Sequence, residues 1–300
     1  MPQHTTSPFG LMVPAMITPF DAAGEVDYER MGEFAERLIS RGATGLLVCG
    51  TTGESPTIDS ASKLKLFSCV KEAAAGRVPV IGNVGNNNTA DSVELAKKAR
   101  ELGIDGVMAV VPYYNKPPQE GMYAHFRAIA EAAEVPMIVY NIPGRCSVNM
   151  LPETTLRLAR EVENIIVVKE ASGDLDQMIE IIEGAPEGFW VYAGDDSFTY
   201  ELVKRNGGGV ISTIGNVCPA EMLEIAQLAF EGRDEEALAA HERLLPLMKQ
   251  LFTTTNPILV KEALKLSGFD VGGLRLPLID ATPEQSADLK RVMQEVGVLD

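Results

Sequence analysis

The strongest chemical candidate in this sequence is a lysine. Lys169 closes the run Ile165-Ile166-Val167-Val168 and is followed by Glu170. A β-branched apolar run of that length reads as a buried strand, which leaves the lysine at the mouth of the sheet that holds it. Desolvation there disfavours the ammonium, and a neutral amine attacks carbonyl carbon to form a Schiff base. The structural alternative is an ion pair with an interior acid. The nucleophile is favoured because lysine is rarely placed inside without a task. Other apolar runs end in groups suited to the same chemistry. Gly50-Thr51-Thr52-Gly53-Glu54 offers two hydroxyls and backbone N–H groups for a carboxylate, though alone it reads as a capped turn. Pro112-Tyr113-Tyr114-Asn115-Lys116-Pro117-Pro118 holds two phenols that either pack a loop or move a proton. Tyr140-Asn141-Ile142-Pro143-Gly144-Arg145 places a phenol at a strand end and a guanidinium five residues on. The planar fork of Arg145 suits a carboxylate, and a surface loop arginine is the equal alternative. Gly194-Asp195-Asp196 suits a helix cap. Gly207-Gly208-Gly209 resembles a phosphate loop but precedes an apolar run, so it is a tight turn on the opposite face.

The elements that position these residues follow from periodicity. Eight apolar runs begin at Leu11, Gly45, Val78, Gly106, Val135, Asn164, Phe189 and Gly209. Amphipathic stretches separate them. Asp27 caps a helix through Arg41, Asp59 caps one through Ala75, and Thr89 opens one with Leu95, Ala99 and Leu102 on one face. Pro152 sits where a first-turn proline is tolerated. Eight strand–helix units in order predict an α/β fold, a (β/α)8 TIM barrel, with chemistry at the C-terminal strand ends. An open doubly wound sheet would show a Gly-rich turn after the first strand; Thr18-Pro19-Phe20-Asp21 stands there instead. Further helices are expected at 219–231, 234–252, 256–267 and 283–296. The expected organisation is a mobile tail over 1–8, the barrel over 9–231, and a C-terminal helical region over 232–300 packed on it.

Composition narrows the partners. The 300 residues carry 26 Lys plus Arg against 42 Asp plus Glu, a formal charge of −16. That disfavours nucleic acid and anionic membrane surfaces, while one local cation still suffices for an anionic substrate. Four scattered cysteines without C-x-x-C spacing suit a reduced, cytoplasmic protein. Three isolated histidines give little material for a metal site. The start lacks the basic and apolar regions of a secretory signal, and no apolar run is long enough to span a bilayer.

G-T-T-G-E, P-Y-Y-N-K-P, Y-N-I-P-G-R, V-K-E-A-S-G and A-G-D-D occur in an order and spacing that resembles the dihydrodipicolinate synthase / N-acetylneuraminate lyase family from about Phe9 to the C-terminus. The five together are specific, although each alone is weak to moderate. The resemblance implies a class I aldolase-type lyase in which Lys169 forms a Schiff base with pyruvate, without metal or other cofactor. It implies Tyr140 as the proton shuttle, with Thr51 and Tyr114 as relay partners. Thr52 is implied at the pyruvate carboxylate, Arg145 at the carboxylate of a second substrate, and Gly194 and Ile211 at nearby backbone positions. The implied reaction condenses pyruvate with L-aspartate 4-semialdehyde to 4-hydroxy-tetrahydrodipicolinate, in diaminopimelate and lysine biosynthesis. The rivals are an N-acetylneuraminate lyase or 2-keto-3-deoxy sugar acid aldolase using the same lysine, and a non-catalytic binding relative. Arg145 speaks for a short aldehyde bearing a carboxylate. The implied assembly is a homotetramer, a dimer of tight dimers, with Tyr113 at the tight contact and Tyr113 or Tyr114 reaching the adjacent subunit. Many family members bind lysine at that contact, and Ser55, Asn87, Asp91 and Tyr113 match its positions, Asp91 where a longer acid is usual. Ser60 and Lys63 stand where sensitive bacterial relatives carry histidines, and Pro56 replaces a small residue. Feedback inhibition by lysine is therefore expected to be weak or absent.

Overall fold

The computed structural model describes residues 7–299. Eight parallel strands form one sheet: β1 (Met12–Pro14), β2 (Leu46–Val48), β3 (Val80–Asn83), β4 (Gly106–Val110), β5 (Met137–Asn141), β6 (Ile165–Glu170), β7 (Trp190–Ala193) and β8 (Gly209–Ser212). Their order is β1-β8-β7-β6-β5-β4-β3-β2. A bridge between Ala15 and Leu47 closes the ring, with Met16 N–H donating to the Leu47 carbonyl at 2.9 Å. The fold is the expected (β/α)8 barrel.

The helices are α1 (Tyr28–Ser40), α2 (Ser60–Ala74), α3 (Thr89–Glu101), α4 (Gln119–Ala133), α5 (Pro143–Cys146), α6 (Pro152–Glu161), α7 (Leu175–Gly184), α8 (Thr199–Lys204), α9 (Pro219–Phe230), α10 (Asp234–Gln250), α11 (Ile258–Leu266) and α12 (Pro283–Glu295). Local chemistry sets their ends. Asp27 accepts from Arg30 N–H and Asp59 from Ser62 N–H, each closing a free donor of a first turn. α3 opens at Thr89 as expected, with Asn88 as its cap accepting from Ala90 N–H; Leu102, expected on its buried face, lies just beyond the helix and is exposed. α11 also starts later than predicted, which leaves Asn256 in a loop.

Strand alternation divides the core. Val13, Leu47, Ile81, Met108, Ile138, Val167, Tyr192 and Ile211 fill the barrel interior. Their neighbours Met12, Val48, Val80, Val107, Met137, Val168, Val191 and Val210 pack under the helices. Phe9 plugs the lower end, where the Tyr192 hydroxyl donates to the Gly10 carbonyl. Residues 1–6 of the expected tail lie outside the described residues. Ser7 is buried, and its hydroxyl accepts from Phe9 N–H at 3.2 Å. Gly208 N–H donates to the Val191 carbonyl, and a Cβ there would run into Trp190 and Tyr192. The triple glycine is thus a close approach of the chain to β7.

The C-terminal helices return to the barrel mouth. Lys261 on α11 forms a buried ion pair with Glu54 at 2.7 Å and donates to the Gly273 carbonyl. Arg275 bonds the Gly24 and Thr57 carbonyls, and its own N–H meets Glu54 Oε2. Among the described residues no helix is long and apolar enough to cross a membrane, and no group of three or more His, Cys, Asp or Glu is placed to hold a metal ion.

Candidate active site

β5 and β6 pair with Ile138 opposite Val167 and Tyr140 opposite Lys169. Ile138 and Val167 point into the barrel, so the residues two positions on share that face one layer higher, at the C-terminal end. Lys169 is 4% exposed, and its Nζ lies 4.3 Å from the centroid of the Tyr140 ring. Burial pushes the Lys169 pKa down to about 8, with Arg145 acting in the same sense and Asp196 and Asp195 opposing. A substantial neutral fraction is therefore present near physiological pH. Burial also raises the Tyr140 pKa, against the hydrogen bond with Thr51 and the charge of Arg145. That phenol stays protonated and is a proton donor.

A cleft of about 470 Å³ opens at Tyr140, with Thr51, Arg145 and Tyr113 also in its walls; Lys169 is not among the residues that line it. Thr51 comes from the turn after β2, where Cys49 and Glu54 take left-handed φ values of 58° and 55°. Strain of that kind clusters at functional sites; here the Glu54–Lys261 pair holds the turn. Arg145 sits on α5 at the exposed rim, and its Nη2 reaches the Asn256 carbonyl at 3.5 Å. Asn256 also donates from Nδ2 to Thr52 Oγ1 at 2.9 Å. One loop residue of the C-terminal region thus links the two groups expected at carboxylates. Its position inside a predicted helix hid it in the sequence.

At the end of β7 the two aspartates differ. Asp195 caps a short turn, accepting from Ser197 N–H and Oγ. Asp196 is buried, and its Oδ2 accepts from Thr213 N–H at 3.0 Å and Ile214 N–H at 2.9 Å. Burial raises its pKa to about 6, and its charge acts on Lys169. Gly194 N–H donates to the Glu170 carbonyl at 2.7 Å, and a Cβ at that position would strike Ala171 and that carbonyl. Ile211 lies in the barrel interior opposite Val13. Thr52, Gly194 and Ile211 are not among the residues lining the cleft, and Tyr114 is 89% exposed, on the loop after β4. Tyr113 occupies the cleft wall instead.

The sequence pattern of the Dihydrodipicolinate synthetase family matches residues 8–296. The chain belongs to this family. It is 50% identical over 291 residues to the 4-hydroxy-tetrahydrodipicolinate synthase of Symbiobacterium thermophilum, covering 97% of this chain and 99% of that one. It is 45% identical over 288 residues to the enzyme of the same name from Bacillus subtilis, covering 96% and 99%. The structure of a dihydrodipicolinate synthase from Cyanidioschyzon merolae with lysine bound is similar, with TM-score 0.96, 42% identity, and coverage of 98% of this chain and 100% of that chain. A monomeric dihydrodipicolinate synthase variant is also similar, with TM-score 0.94 and 42% identity over 97% and 98%.

Proposed function

We infer that this protein is a lyase that condenses pyruvate with L-aspartate 4-semialdehyde to 4-hydroxy-tetrahydrodipicolinate through a Schiff base on Lys169. The observation that carries the reading is the buried, partly neutral Lys169 amine against the protonated Tyr140 phenol, in a chain about half identical to enzymes so named. The amine adds to the ketone carbon of pyruvate. The carbinolamine then loses its hydroxyl as water, with Tyr140 supplying the proton. The Tyr140 phenolate left by that step takes a methyl proton from the imine to give an enamine, the cationic nitrogen acting as electron sink without metal or organic cofactor. The regained proton serves the aldehyde oxygen in the next step. The enamine carbon attacks the aldehyde, whose oxygen takes a proton. The amine of the semialdehyde then adds to the imine carbon, closing the ring and releasing Lys169.

Thr52 serves the pyruvate carboxylate and Arg145 the carboxylate of the second substrate, with Gly194 and Ile211 as the backbone lining. Thr51 links Tyr140 to a second phenol, through which protons reach and leave Tyr140. With Tyr114 89% exposed and outside the lining of its own cleft, that phenol is assigned to another copy of the chain. The reading therefore takes the working form as a homotetramer of tight dimers in the cytoplasm, serving diaminopimelate and lysine biosynthesis.

The test is a coupled assay offering pyruvate with aspartate semialdehyde beside a panel of sugar aldehydes. Turnover confined to the semialdehyde supports the reading. Turnover only with the longer polyhydroxylated aldehydes would make the chain a sugar-acid aldolase.

A further inference from the structure

The residues that follow Tyr140 and Lys169 point the opposite way, and they meet. Strand alternation sends Asn141 and Glu170 to the helix-facing side, where both are fully buried. They are register partners, and Asn141 Nδ2 donates to Glu170 Oε1 at 3.1 Å and Oε2 at 3.0 Å. Glu170 also accepts from Ser172 N–H at 2.7 Å and from Gln177 Nε2 at 3.2 Å. Asn141 Oδ1 accepts from Met150 N–H at 3.0 Å, while its Nδ2 also reaches Asn149 Oδ1 at 2.7 Å. Asn149 in turn donates to Gln177 Oε1 at 2.7 Å. Asn149 and Met150 lie four and five residues beyond Arg145 on the same segment.

This is an expensive arrangement for the layer between sheet and helices. The outward neighbours Val139 and Val168 are apolar, and a buried carboxylate is costly unless it is fully bonded. Each of these partners of Glu170 is a donor, which suits the acceptor oxygens of a carboxylate, although burial raises its pKa. The β5–β6 ladder carries a bulge between Met137 and Ile138, and the pair sits at the far end of the regular stretch that follows it.

We propose that Asn141 and Glu170 are a positioning pair that locks Tyr140 opposite Lys169 and anchors the segment carrying Arg145. The proposal rests on the roles assigned above to Lys169 and Tyr140. Neither member touches substrate; both act through the residue beside them.

The experiment exchanges the two functional groups without changing side-chain length. Glu170→Gln points an amide at surrounding donors, and Asn141→Asp sets two carboxylates face to face. The double variant restores one donor opposite one acceptor. The readout is the single-turnover rate of the borohydride-trapped pyruvate adduct, normalised to each variant's own trapped end point so that unfolded protein drops out. Each single variant should be slowed about ten- to a hundredfold, as displacements near 1 Å do, and the double variant should be much faster than either. Singles as fast as the unaltered protein, or a double no faster than the slower single, would overturn the pair. Should the singles not fold, Asn149→Ala carries the test at a half-buried position. It should slow condensation several-fold while sparing adduct formation, and equal rates in both steps would overturn the link to Arg145. Absence of any adduct on the unaltered protein would instead refute the Lys169 reading itself.

Discussion

At the scale of single residues, the site separates two jobs. On the proposed function, Lys169 and Tyr140 make the imine, and Arg145 at the rim meets the second substrate. Arg145→Ala should therefore spare pyruvate trapping while cutting condensation at least tenfold, because a lost charge-assisted bond costs on the order of 1.5–3 kcal/mol. Mass spectrometry for the adduct beside a coupled turnover assay reads both steps; equal loss of the two would contradict the division. The pH dependence follows from the same environment. Burial lowers the Lys169 pKa to about 8, and only the neutral amine attacks. Imine formation should rise with pH toward that value and level off above it. Asp196 pulls the lysine pKa upward, so Asp196→Asn should move the midpoint to lower pH. A midpoint near the ordinary lysine value, or a shift upward in the variant, would show that burial and Asp196 do not govern the amine.

At the scale of elements, the barrel mouth is fastened by chain far away in sequence. The Glu54–Lys261 pair is almost fully buried at 2.7 Å, with Arg275 N–H on the same carboxylate. Lys261→Ala leaves that carboxylate without its counter-ion and should cost about 3–5 kcal/mol, read as a lowered denaturant midpoint at unchanged slope. A midpoint within error of the unaltered protein would mean that water replaces the ammonium. The strands and their terminal residues were legible because a buried parallel strand writes itself as a short apolar run, and the residue after Val168 or Val139 has its face set by alternation. What was not legible depended on contacts between distant segments. Nothing local in Asn256 marks it as the bridge between Thr52 and Arg145. The Glu54–Lys261 pair joins residues more than two hundred positions apart. Leu102, read onto the face of α3, falls one residue past the helix end and is exposed.

At the scale of the whole molecule, the cleft extends well beyond Tyr140. The cleft runs from Thr51 and Tyr140 to Ser55, Ser60, Asn87 and Asp91, and Lys63 lines it while only 8% exposed. The Lys63 side chain thus faces inward, where its ammonium opposes a cationic ligand, although burial lowers its pKa. An activity titration with L-lysine at subsaturating pyruvate should show weak inhibition or none, and strong inhibition at submillimolar lysine would show that the cleft accepts the cation despite Lys63. Every step of the proposed chemistry, in one copy or several, passes through the covalent bond at Lys169. The most direct measurement is borohydride reduction in the presence of pyruvate, followed by intact mass and peptide mapping. The account predicts one reduced pyruvate adduct per chain, mapped to Lys169 and missing from Lys169→Ala. An adduct that persists in that variant, or turnover without any adduct, would contradict it.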